Sequence, residues 1–343
     1  MIDLSGMPLS LAIVLFAVAA GVITLAGVRL SSVADELADR TGMGEVVAGA
    51  LFVGAATSLP GAFTSVTAAA EGAPSLAVGN ALGGLTAQTA FIAVADLVYR
   101  QANLEHAAAS VTGLAQGVLL VVLIALALSA SSTPSVTLWG VHPVSILIPV
   151  TYAFGLRLLM QIETRPMWRP VITDKTREAV SLPDRRPGAA SDRSLWLRFA
   201  FFATMTALSG YLIGEASLVI VAKTALSESV VGTVLAGVAN SLPELVTAIA
   251  AVRIGAVSLA LGDIIGGNAF EVMFLCAADM VHSGSIYDAM TDRDRTTALI
   301  AIIMTGALLL GMLRREKYGV ASIGFESALV LALYAGSLVL LFV

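Results

Sequence analysis

Two glutamates interrupt long apolar stretches of this 343-residue chain: Glu244, at the end of Ala-Asn-Ser-Leu-Pro-Glu over 239–244, and Glu271 in the next stretch. A carboxylate deep in apolar surroundings costs about 3 kcal/mol or more, and such groups mark ion or proton pathways in membranes. Asn240 and Ser241 precede Glu244 by four and three positions, so all three share one side of a helix. Pro243 removes a helical donor and clashes one turn back, which frees carbonyl oxygens beside those side chains. The first half of the chain carries a similar set: Thr57 and Ser58 in Ala-Thr-Ser-Leu-Pro over 56–60, and Gln88 further on. Hydroxyl, amide, carbonyl and carboxylate oxygens on locally broken helix are what a hard cation needs as it sheds water. The chemistry suggested is reversible cation coordination. Thr57, Ser58 and Gln88 could instead bond neighbouring helices. Cys276 is the only cysteine, so no disulfide framework is possible, and it reads as a small apolar core residue. His106, His142 and His282 lie near the ends of apolar runs and do not suggest a three-histidine metal site.

The elements that must hold these residues are membrane-spanning helices. Hydrophobic residues make up 57% of the chain and charged ones 13%, where a soluble domain has about 25% charged. The apolar blocks run about 20 residues, the length that crosses a bilayer as helix, and only helices or closed barrels satisfy the backbone there. Ten spans are read: 10–30, 46–70, 75–98, 107–130, 137–160, 195–217, 229–252, 256–282, 296–313 and 320–342. The first is too long for a signal segment. With these spans, 16 basic residues fall on one side of the membrane, including those of the polar linker 161–194, and only Lys223, Arg293 and Arg295 on the other. The positive-inside rule then makes the linker cytoplasmic and puts both termini outside.

Residues 45–99 align with 228–282 at a constant offset of 183, without gaps. The matches include Gly54/Gly237, Ser-Leu-Pro over 58–60 and 241–243, Thr64/Thr247, Gly79/Gly262, Gly83/Gly266, Gly84/Gly267 and Asp96/Asp279. Five spans separate the copies, an odd number, so the second copy crosses in the opposite sense. The expected architecture is therefore an all-α membrane protein of ten helices in two inverted five-helix repeats, 1–160 and 195–343, joined by 161–194. Transporters of this kind bind substrate near the midplane, between the repeats. The repeated glycines read as packing surfaces. Asp96 and Asp279, near span ends, read as helix-end or packing residues; Asp263, at the position of Asn80 and near the cytoplasmic end of its span, reads the same way, with a proton-handling or supporting role at the site as the alternative.

The two motifs, Gly-Ala-Ala-Thr-Ser-Leu-Pro-Gly over 54–61 with 79–88, and Gly-Val-Ala-Asn-Ser-Leu-Pro-Glu over 237–244 with 262–271, resemble the paired repeats of the cation/calcium exchanger superfamily, especially its prokaryotic sodium/calcium exchanger branch. The resemblance covers essentially the whole chain. It implies a multi-pass protein of a bacterial cytoplasmic membrane that carries out cation antiport, most simply sodium/calcium exchange, by alternating access. It implies no cofactor. The partners would be the lipid bilayer and the transported Ca²⁺ and Na⁺, with H⁺ as the alternative coupling ion, and no nucleic acid. The family's cation ligands fall on Thr57, Ser58, Gln88, Asn240, Ser241, Glu244 and Glu271, and its sliding helices on spans one and six. The chain departs from the pattern at Gly61, where the family has glutamate, at Gly84 and Gly267, where it has serine, and at Gln88 and Glu271, each one methylene longer. A homologue that binds ions without coupled transport is the rival reading, supported by Gly61. An intramembrane aspartyl protease is excluded, since Ala-Leu-Gly-Asp over 260–263 lacks that motif's first glycine and Tyr287-Asp288 follows it in a loop.

Overall fold

The computed structural model describes residues 4, 6–41, 54–108, 110–134, 136–177, 192–319 and 323–342. The expected span portions 46–53, 109 and 320–322, and part of the linker (178–191), lie outside the described residues. The described residues are mostly helical. Helix α1 (Leu9–Thr41) is followed by α2 (Gly54–Thr57), α3 (Leu59–Ala70), α4 (Pro74–Val98), a short α5 (Leu104–Ala107), α6 (Val111–Ala130) and α7 (Pro143–Thr164). After the linker come α8 (Asp192–Lys223), α9 (Glu228–Val230), a π-helical turn (Val231–Gly237), α10 (Val238–Asn240), α11 (Leu242–Arg253), α12 (Val257–Val281), α13 (Asp292–Arg314) and α14 (Phe325–Leu340).

Among the described residues seven helices are long and apolar enough to cross a membrane, and eight when the bent run Glu228–Arg253 counts as one. α14 is a shorter apolar helix. α1 and α8 are longer than the sequence suggested, extending to Thr41 and Lys223. The α1 extension (Ser31–Thr41) is polar and charged, which an apolar-run criterion cuts off, whereas α8 continues through the apolar 218–222 to Lys223.

α4 and α12 form the centre and pack on each other. Both are apolar nearly all round, as buried helices are. α3 and α11 flank this pair, α1 and α8 pack together along one side, and α6, α7, α13 and α14 cover the other. Backbones approach most closely where glycine allows. A Cβ on Gly83 would lie 2.5 Å from Thr233 Cα in the π turn, and one on Gly237 would lie 2.7 Å from the Gly84 nitrogen. Gly79 also packs on this turn, against Ser229 and Thr233. Gly262 is not such a surface, its nearest neighbour being Gln116 Oε1 at 4.0 Å.

Asp96 and Asp279 act as helix-end ties. Asp96 accepts the Leu104 and Gly324 amides at 2.8 and 3.2 Å. Asp279 accepts the Ile286 and His142 amides at 2.9 and 2.7 Å and the Ser145 hydroxyl at 2.7 Å. Each thereby fixes the first turn of a surface helix, α14 or α7, to the end of a central one. The described part of the linker folds back on the same end as α5. Arg315 donates to the His106 carbonyl and the Thr176 hydroxyl, both at 2.9 Å, and Lys317 pairs with Asp174 at 2.7 Å.

Candidate cation site

Both Ser-Leu-Pro segments break their helices at the serine. Ser58 separates α2 from α3, and Ser241 separates α10 from α11 with a 42° bend. The prolines sit in the first turn of the helix that follows, where a missing N–H costs nothing. The interruption is thus a single residue, shorter than an unwound stretch. α1 and α8 cross these breaks at two glycines. A Cβ on Gly27 would lie 2.6 Å from Pro243 Cγ, and one on Gly210 would collide with the Pro60 backbone. Gly27 and Gly210 are themselves 183 residues apart.

All seven sequence-selected residues are buried. Gln88 Nε2 donates to Glu271 Oε1 at 2.5 Å and to Ser241 Oγ at 3.2 Å, joining α4, α12 and the α10–α11 break. Asn240 Nδ2 donates to Thr64 Oγ1 at 3.0 Å and to Asn80 Oδ1 at 2.8 Å. Thr57 donates to the Gly54 carbonyl at 3.2 Å and lies in hydrogen-bonding reach of the Glu244 carboxylate. Glu244 and Glu271 lie within electrostatic range of each other. Five of the seven keep a buried side-chain oxygen without a protein hydrogen-bond partner: Ser58 Oγ, Gln88 Oε1, Asn240 Oδ1, Glu244 Oε2 and Glu271 Oε2. Unpaired buried acceptors cost about 1–3 kcal/mol each, more when charged, and all five are oxygens that a hard cation would satisfy.

Two departures from the exchanger motif explain each other. A Cβ on Gly84 would lie 2.6 Å from Glu271 Oε2, and one on Gly267 would lie 3.6 Å from Gln88 Oε1. Glu271 occupies the space that serine would fill at 84, while at 267 a side chain would make only ordinary contact with Gln88. A third departure closes part of the site. The Phe274 ring stands where a side chain on residue 61 would start, 2.6 Å from a Cβ there. The polarity of the first repeat at this position is replaced by an aromatic plug.

The structure adds residues that the sequence reading set aside. Asp263 joins Glu244, Thr57, Thr247 and Ser31 of α1 around a cavity of about 20 Å³, room for one water or one bare cation. In the sequence its place near the end of its span favours a helix-end or packing role over a proton-handling one, and the fold puts it beside Glu244. Glu215, buried in α8, also went unread, although its place in an apolar run carried the same signal as Glu244. Among the described residues no three His, Cys, Asp or Glu side chains converge to hold one metal ion, so a cation here would draw most of its ligands from neutral oxygens.

The chain is 32% identical to the inner membrane protein YrbG of Escherichia coli K12 over 135 residues, 39% of this chain and 40% of that protein. It is 24% identical to the putative antiporter CaxA of Alkalimonas amylolytica over 285 residues, 82% of this chain and 85% of that one. Its fold matches the sodium-calcium exchanger NCX_Mj with a TM-score of 0.62 at 17% identity, covering 97% of this chain and 99% of that one. The match to the H⁺/Ca²⁺ exchanger CAX has a TM-score of 0.67 at 15% identity, covering 97% and 82%. The family profile described as sodium/calcium exchanger protein matches residues 11–158 and 193–343, and the chain belongs to that family.

Proposed function

We propose that this protein is a secondary active cation antiporter working by alternating access, with Ca²⁺ as the transported divalent ion and Na⁺ as the coupling ion. The observation that carries this reading is the set of five unpartnered oxygens on Ser58, Gln88, Asn240, Glu244 and Glu271, gathered where two broken helices meet two central ones. Glu244 and Glu271 supply up to two negative charges, which match one divalent or two monovalent cations. Membership of a family with sodium/calcium and H⁺/Ca²⁺ exchangers among the similar structures supports antiport.

The ten-span inverted repeat, with a cytoplasmic linker and outward termini, supplies the motion. Contacts related by the 183-residue offset support it: Gly27 on Pro243 beside Gly210 on Pro60, and Gly84 against Glu271 beside Gly267 against Gln88. Each contact joins one half to the other, so exchanging the roles of the halves would convert one access state into its opposite. α1 and α8, packed on each other and resting on the prolines through glycine, are the pair that slides.

Flux into proteoliposomes tests the reading. Ca²⁺ uptake should follow an imposed Na⁺ gradient. Uptake that follows only a pH gradient would replace Na⁺ by H⁺ as the coupling ion. Ion binding without uptake under any gradient would refute transport.

A further inference from the structure

The two halves use equivalent positions in opposite ways. In the first repeat Asn80 Nδ2 donates to the Gly61 carbonyl at 2.9 Å and the Ser65 hydroxyl at 2.8 Å, and Asn240 closes the knot through Asn80 and Thr64. The partners of that knot under the 183-residue offset are Asp263 for Asn80, Glu244 for Gly61, Ala248 for Ser65, Thr57 for Asn240 and Thr247 for Thr64. A carboxylate at 263 cannot donate to the Glu244 carbonyl, and Ala248 offers no hydroxyl. The second knot therefore does not form. Its residues line the cavity of about 20 Å³ instead, with Ser31 of α1.

We propose that this cavity is a binding subsite for one hard divalent cation of the Ca²⁺ and Sr²⁺ class, with Asp263 and Glu244 as its two carboxylate ligands and Thr57, Thr247 and Ser31 as neutral oxygen ligands. Glu244 is 8% exposed, and its Oε2 has no protein hydrogen-bond partner. Two carboxylates neutralise a divalent ion, and hydroxyls complete an all-oxygen shell. Asp263 thus makes good the carboxylate missing at Gly61, in the second repeat and off the axis between the halves. Ser31 lies on α1, one of the two helices expected to slide, so filling the subsite would hold α1 in place. Asp35, four residues on and on the same face of α1, lies within electrostatic range of Asp263. The proposal rests on the cation-antiport reading and adds a ligand position to it.

Equilibrium binding of ⁴⁵Ca²⁺ to the purified full-length protein tests both, together with anomalous diffraction from crystals soaked in Sr²⁺ alone. Asp263→Asn, which installs the residue found at position 80, should weaken Ca²⁺ binding at least tenfold without lowering the thermal midpoint measured in chelator. An anomalous peak should lie between the Asp263 and Glu244 carboxylates. Wild-type affinity in Asp263→Asn, or a peak beside Gln88 and Glu271 with none in the cavity, overturns the subsite and leaves antiport standing. A wild-type protein that binds no divalent cation overturns both. If Asp263→Asn does not fold, the Sr²⁺ peak in the wild type decides alone.

Discussion

Replacing Gly84 by alanine would place a methyl carbon 2.6 Å from Glu271 Oε2 and 3.1 Å from Oε1, against 3.4–4 Å for ordinary contact. A glutamate carboxylate usually swings aside at little cost. This one is buried and held by Gln88 at 2.5 Å. Either the carboxylate stays and the contact is overpacked, at about 1–3 kcal/mol, or it leaves and the charged hydrogen bond is lost, at about 1.5–3 kcal/mol. These are alternatives, so Gly84→Ala should cost about 2 kcal/mol. Glu271→Asp withdraws the carboxylate by one methylene and should cost a similar amount alone. Together the shorter acid vacates the space that the methyl fills, and the double variant should recover about 1–2 kcal/mol relative to the sum. Gly267→Ala is the control: its Cβ would make only an ordinary 3.6 Å contact with Gln88 Oε1, and it should cost little. Unfolding free energies of the detergent-solubilised proteins measure the cycle. Additivity of the two substitutions within about 0.5 kcal/mol would refute the idea that glycine at 84 compensates for the long acid at 271.

Three further outcomes follow from the same structure. Glu244→Gln keeps the shape of the side chain and removes its charge, so Ca²⁺ uptake should fall to background while the thermal midpoint holds; near-normal flux would count against the site. Gly210→Ala drives a methyl into the Pro60 backbone, which cannot yield, whereas Gly27→Ala meets only the Pro243 ring, so the first should destabilise by about 3 kcal/mol and the second by about 1 kcal/mol; equal midpoints would contradict this. Glu105, in the short helix α5 after α4, is held well above the ordinary carboxyl value of 4.5 by burial first, then by Asp96 and Glu326. Its stabilising contribution is therefore full below about pH 4.5 and is lost as pH rises through the raised folded value. Glu105→Gln should gain on the wild type in thermal midpoint as pH rises above the ordinary carboxyl value of 4.5, and a constant difference would disprove the burial argument.

How much of this was legible in the sequence varies with the kind of signal. The membrane-spanning character was plain because hydropathy is a sum over some twenty residues, and ends were not, because α1 runs on through a charged stretch that still helps form its helix. The residue types at 57, 58, 88, 240, 241, 244 and 271 were legible from the repeat itself. Their pairings were not. Nothing in one dimension says that Gln88 would reach Glu271 in place of a neighbour, or that Phe274 would stand over Gly61, since both contacts cross between helices far apart in the chain. The glycines at 84 and 267 looked like packing residues because glycine usually is one. Only the longer side chain at 271 reveals the second use of Gly84, and that needs the fold. For Asp263, nearness to the end of its span favours a helix-end or packing role over a proton-handling one; the loss of a donor at 263 and of a hydroxyl at Ala248 carries meaning only once the Asn80 knot is seen in the fold.

That reversal bears on how such a transporter would move. An exact repeat would make its two access states equal in energy, since each is the other turned over. Here one half is tied by amide hydrogen bonds among Asn80, Asn240, Thr64 and Ser65, and an aromatic ring covers its residue 61. The other presents two carboxylates to a small cavity. On the proposed reading, the two carboxylates repel when both are ionised and the cavity is empty, which favours widening on the side of Ser31. Neutralised by a divalent ion, they draw Ser31 and α1 inward. The first half has no charge to neutralise and so no comparable response to an ion. On the proposed reading, the bias between states is set by occupancy at Glu244 and Asp263 alone, and a carboxylate restored at position 61 should reduce that bias only if Phe274 is trimmed to make room for it.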